Sequence, residues 1–95
     1  MKIRHDPKAD AVYIQLSDKN VVKTKTVRGN MSDAAVDYDI DGDVVGIELL
    51  GVRTGIDIKG LPNAEEVSKA LLKKGFFLIA SSDSDRERAK DSLRK

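Results

Sequence analysis

The stretch Asp37-Tyr-Asp-Ile-Asp-Gly-Asp-Val-Val-Gly-Ile-Glu48 admits two incompatible structures, and the choice between them decides the fold. Asp37, Asp39, Asp41, Gly42 and Glu48 satisfy the calcium-loop pattern D-x-[DN]-x-[DN]-G-x5-E letter for letter. That loop works only when two flanking helices aim its carboxylates inward. Here Gly29, Asn30 and Ser32 upstream favour turns, while Gly51 and Gly55 interrupt the chain downstream. The same residues also read as a β-hairpin: Val36, Tyr38 and Ile40 alternate with Asp37, Asp39 and Asp41 around an Asp41-Gly42 turn. A two-residue turn there sets Tyr38 opposite Val45, Val36 opposite Ile47 and Ala34 opposite Leu49. The opposite face then carries Asp37, Asp39, Gly46 and Glu48. A one-residue slip would mix the two sets, so the apolar pattern pins the register. The hairpin is the reading we adopt.

Outward from the hairpin, Lys2–His5 reads as a short strand ended by the turn former Asp6-Pro7. In 11–16, Val12, Ile14 and Leu16 alternate with Ala11, Tyr13 and Gln15, as a half-buried strand requires. Ser17–Asn20 is a turn cluster. The Val- and Thr-rich segment 21–28 is a third strand, which Lys23 and Lys25 mark as an edge. This makes an antiparallel meander of about five strands. A short strand around Ile56 and Ile58 is expected in the glycine-punctuated stretch that follows.

The pattern then becomes helical. Asn63 is placed to cap a helix over about 64–74, with Glu66 in capping-box position, Val67, Ala70 and Leu71 on the apolar face, and Gly75 just past the end. The fold class is therefore α+β, with one C-terminal helix covering the sheet. Residues 1–80 form one domain. Phe76–Ala80 is a buried strand or a contact surface, and 81–95 is a charged tail, a marginal helix or disordered.

Composition narrows the function classes. Seventeen basic and 16 acidic residues give a net charge of +1, which argues against a strong field for nucleic acid. The only basic groups to invoke for that purpose are Lys23, Lys25 and Arg28 on one strand and Arg86, Arg88 and Lys90 in the tail. Cysteine is absent, which removes disulfides, thiolate metal sites and thiol nucleophiles and suits a reducing cytoplasm. The N-terminus has no apolar signal-like segment, and the longest apolar run, Phe76–Ala80, is far short of a bilayer. No glycine pattern forms a phosphate loop, and no cofactor is expected.

The candidate chemical residues are few. His5 is the only histidine and adjoins Asp6, with Asp10 nearby, so a small hydrolase using His5, Asp6 and Asp10 is one alternative. Turn capping by Asp6 and packing of His5 beside the turn explain the same residues without catalysis. A second alternative is weak calcium binding by the hairpin through Asp37, Asp39, Asp41 and Glu48.

Two motifs carry a family resemblance. Met1-Lys-Ile-Arg-His-Asp-Pro-Lys-Ala-Asp-Ala-Val-Tyr-Ile-Gln-Leu16 and the stretch 37–50 resemble the opening and the hairpin of a family of short prokaryotic proteins known only as a domain of unknown function. The resemblance covers about residues 1–52. Asp6, Asp10, Ala11, Tyr13, Gly46, Ile47 and Glu48 match its pattern, and His5 stands where an aromatic is usual. Asp6, Asp10, Tyr13 and Glu48, with His5, are therefore the candidate functional residues. The resemblance implies a fold and, by analogy with relatives encoded beside toxin-like proteins, an antitoxin or partner-binding role. The expected function is a non-enzymatic binding module that self-associates as a dimer or holds a protein partner.

Overall fold

A computed structural model describes residues 1–79 of the chain. Ala80 and the expected tail, 81–95, lie outside the described residues. Five strands form one antiparallel sheet: β1 (Lys2–Asp6), β2 (Ala11–Gln15), β3 (Lys23–Val27), β4 (Ala34–Tyr38) and β5 (Val44–Leu50). A 3₁₀ turn (Val52–Thr54) and one helix, α1 (Ala64–Lys73), follow. The class is the expected α+β.

The strand order is β1-β2-β5-β4-β3, which differs from the sequential order of a simple meander. The 16–22 connection carries the chain across the end of the sheet. Leu16 and Ser17 N–H both donate to the Val45 carbonyl, and Val22 N–H donates to the Tyr38 carbonyl. Strands β3, β4 and β5 then return as successive hairpins, so that β5 lies beside β2. Read backward from β5, this is a Greek-key arrangement.

The apolar alternation of the central strands becomes the core. Val12 and Ile14 of β2, Ala34 and Val36 of β4, and Ile47 and Leu49 of β5 share one face and are buried. Val52, Ile56, Leu61, Val67 and Leu71 close over that face. The helix presents the expected stripe, with Val67 and Leu71 fully buried and Ala70 partly so, whereas Leu72 is 57% exposed. Lys69 and Glu65 pair at i,i+4 on the solvated side.

The helix stops as expected at Gly75 but starts differently from the expected capping box. Asn63 occupies the N-cap position in a left-handed conformation, φ 54°, and its side chain makes no capping hydrogen bond. At the other end, Gly75 (φ 88°) donates to the Leu72 carbonyl and Phe76 N–H to the Leu71 carbonyl. That is the Schellman pairing. Of the short strands expected around Ile56 and in 76–80, a single parallel bridge forms, Ile56 to Leu78. Phe76 is half-buried and Phe77 exposed.

A buried polar cluster fastens the β3–β4 loop to the segment after β5. Asn30 Nδ2 donates to the carbonyls of Asp57 (2.7 Å) and Lys59 (2.8 Å). Ser32 Oγ accepts from Asp57 N–H at 2.6 Å, and the Asp57 carboxylate accepts from Met31 and Lys59 N–H. Asp57 is 0% exposed, and these bonds satisfy both its oxygens.

Candidate functional site

The β4–β5 hairpin has a longer loop than expected. Asp39 N–H donates to the Asp43 carbonyl (2.9 Å) and Gly42 N–H to the Asp39 carbonyl (3.1 Å), with Gly42 at φ 84°. This is a three-residue loop, a turn followed by a left-handed glycine, in place of the two-residue Asp41-Gly42 turn. Two corrections follow from the extra residue. Tyr38 stands opposite Val44, not Val45, and Ile40 moves to the loop tip, where it is 81% exposed. A bulge between Asp37 and Tyr38 absorbs the shift, so Asp37 meets Gly46, Val36 meets Ile47 and Ala34 meets Leu49. The apolar face thereby keeps its expected partners from Val36 onward.

The loop separates the letters of the calcium motif. Asp37 and Glu48 stay on the open face of the sheet, away from the tip. Asp39 turns inward, and its Oδ1 accepts from the N–H groups of Asp41 (2.9 Å) and Asp43 (3.0 Å). The acidic group that assembles is Asp39, Asp41 and Asp43, whose carboxylates each offer an oxygen within 4.8 Å of the others. The motif does not include Asp43.

On the open face, Tyr13 lies diagonally across Gly46 and donates to Asp37 Oδ2 at 2.8 Å. A Cβ at position 46 would overlap the phenol ring, so any larger residue there would force Tyr13 to shift. Thr24 Oγ1 donates to Asp37 Oδ1 at 2.6 Å, and the Arg4 guanidinium sits 5.2 Å from the Tyr13 ring centre. Burial and the hydrogen bond to Asp37, reinforced by that residue's charge, push the Tyr13 hydroxyl up to about 12. These contacts join β1, β2, β4 and β3 over the glycine of β5.

The β1–β2 turn engages the remaining candidates separately. Asp6 Oδ1 accepts from Lys8 (3.1 Å) and Ala9 (3.2 Å) N–H, which caps the turn. Asp10, left-handed at φ 53°, accepts from Arg53 N–H at 2.8 Å and so holds the 3₁₀ turn. The two carboxylates serve different backbone segments. The His5 ring meets the edge of Phe76, with centroids 5.1 Å apart. Glu48 is exposed, opposite Tyr13 and Ala35.

The sequence marks 21–28 as an edge strand through Lys23 and Lys25, but not the apolar corner beside it. Val21, Val22 and Ile40 are exposed there, and Lys25 lies 5.9 Å from the Tyr38 ring centre. Val22, Lys23, Lys25, Tyr38 and Ile40, with Asp39 and Gly42, border a groove of ≈ 330 Å³. The available signal was the Val21-Val22 pair leading into a Lys/Thr strand.

No curated protein and no solved structure matches the chain. No helix among the described residues is long and apolar enough to cross a membrane. The profile of a family described as "Protein of unknown function (DUF2283)" matches residues 2–53, more than half of the 95. That span runs from β1 through β5 and contains the Tyr13–Asp37–Gly46 contact, and by this match the chain belongs to that family.

Proposed function

We propose that this chain is a non-catalytic binding module that receives an extended, acidic segment of another protein along β3. The observation that carries the reading is a free strand edge beside an exposed apolar corner. Among the described strands β3 pairs only with β4, so the backbone groups on its outer side are open to a further strand. Val22, Tyr38 and Ile40 offer apolar contact next to that edge. Lys23 and Lys25 are alternate residues of the strand, set opposite Tyr38 and Val36, so they share one face. Acidic residues two apart on an added strand would meet both lysines.

A second copy is the poorer occupant of this edge. Two β3 strands placed side by side would bring Lys23 and Lys25 against their own counterparts. The antitoxin-like role implied by the resemblance is one form of the present reading, with the toxin-like partner supplying the segment. The nucleic-acid alternative would use the same lysines, but Arg28 lies beyond the strand and the chain's net charge is near zero.

The test is site-specific photo-cross-linking of the full chain in its native host. A photoreactive residue at Thr26, on β3, should capture a partner protein. One at Lys69, on the solvated side of α1, should not. The Lys23→Glu/Lys25→Glu variant should lose the capture at Thr26. Equal capture at both positions, capture insensitive to charge reversal, or no capture at Thr26 would each overturn the proposal.

A further inference from the structure

We propose that the tip of the β4–β5 hairpin, which adjoins the groove beside β3, is a calcium site built from Asp39, Asp41 and Asp43. Two observations carry it. The first is geometric. Oxygens bound to one calcium ion lie about 2.3–2.6 Å from it, so any two are at most roughly 5 Å apart. One carboxylate oxygen from each of the three residues meets that limit, all lying within 4.8 Å of one another. The second concerns Asp39 alone. The residue is 4% exposed, and its Oδ2 is buried with no hydrogen-bond partner.

A buried carboxylate oxygen without a donor is unusual, and a bound cation is one of the few things that completes it. Local charge adds to the argument. Three carboxylates converge on the tip, and the nearby ammonium of Lys19 stands 4.0 Å from Asp41 Oδ2 with both side chains largely exposed. A solvent-screened lysine does not offset three converging negative charges.

The loop is also preset. Asp39 Oδ1 fixes the N–H groups of Asp41 and Asp43, and left-handed Gly42 closes the turn, so the donors need no large rearrangement. Carboxylates without histidine or cysteine select hard cations. Calcium tolerates irregular coordination completed by water and carbonyl oxygens, whereas magnesium demands near-ideal octahedral geometry. Few protein ligands and an exposed rim place the dissociation constant at about 10⁻⁴–10⁻³ M, the range of extracellular calcium modules.

The experiment is a titration of the full chain with calcium chloride, followed by amide NMR shifts and matched by a sodium chloride titration of equal ionic strength. Calcium should give saturating shifts confined to the amides of 39–43, and magnesium a response at least several-fold weaker. Asp41→Asn/Asp43→Asn changes two exposed side chains outside the core and should weaken calcium at least tenfold. Asp39→Asn should weaken it too while keeping an oxygen that can hold the loop N–H groups. Glu48→Gln, on the open face, should leave the affinity unchanged. Shifts that sodium reproduces, shifts that never saturate, or a double variant that responds like the parent would reduce the triad to solvated surface acids and overturn the proposal.

Discussion

Gly46 shows how a letter of a motif becomes a physical constraint. The sequence marked Tyr13, Asp37, Gly46 and Glu48 as motif positions, but their spacing gave no hint that a tyrosine from β2 covers the glycine of β5 to reach β4. That contact depends on β2 pairing with β5, a long-range fact absent from local patterning. We expect Gly46→Ala to cost about 1–3 kcal/mol through overpacking. In a Tyr13→Ala background the same change should cost little, and a double-mutant cycle by denaturant unfolding measures the difference. Tyr13 also carries a pH dependence. Its pKa of about 12 lies above the ordinary value of 10.0, so the fold favours the neutral phenol. This contribution is complete below pH 10 and is lost as pH rises toward 12. In Asp37→Asn the Tyr13 ring, followed by its carbon NMR shift, should titrate closer to the ordinary value. Asp57 makes the complementary case. Nothing in the sequence distinguished it from a surface aspartate, because its partners Met31 and Ser32 are remote in the chain. Asp57→Ala removes the acceptor for two part-buried N–H groups and should cost about 1–3 kcal/mol in chemical denaturation.

At the level of elements, strong periodicity was legible and loop chemistry was not. The pairing of Val36 with Ile47 and of Ala34 with Leu49 followed from burying one face, whatever the turn. The loop length did not follow, because Asp-Gly suits both a two-residue turn and the left-handed position of a three-residue loop. The structure takes the longer loop and corrects the count with a bulge, which is why Ile40 leaves the apolar face. The helix was legible for the same reason as the strands: Val67 and Leu71 are spaced to face the sheet. Its cap was not, since Asn63 can favour a helix start by adopting a left-handed backbone as well as by side-chain bonding. We expect Leu71→Ala to cost about 2–5 kcal/mol and Leu72→Ala no more than about 0.5 kcal/mol. Thermal and urea unfolding of the two variants checks both. Equal losses would mean that α1 does not seal the core.

The whole molecule is a family sheet completed by its own C-terminal segment. The matched span ends at Arg53, while Ile56, Leu61, Val67 and Leu71 of the same core come from beyond it. Strand order was the main feature hidden from the sequence. Local alternation identifies a strand but not its neighbours, and the 16–22 connection crosses the sheet end without a distinctive signature. Ile56, Leu61, Val67 and Leu71 close the apolar face within the chain, and the proposed partner site is therefore an edge, β3. Amide hydrogen exchange of the isolated chain at several protein concentrations tests this most directly. The account expects β2 and β5 amides to exchange only through global unfolding, and the outward N–H groups of β3 to exchange at nearly unprotected rates at every concentration. Protection of β3 that matches β5 and grows with protein concentration would contradict it, and would assign that edge to a second copy of the chain.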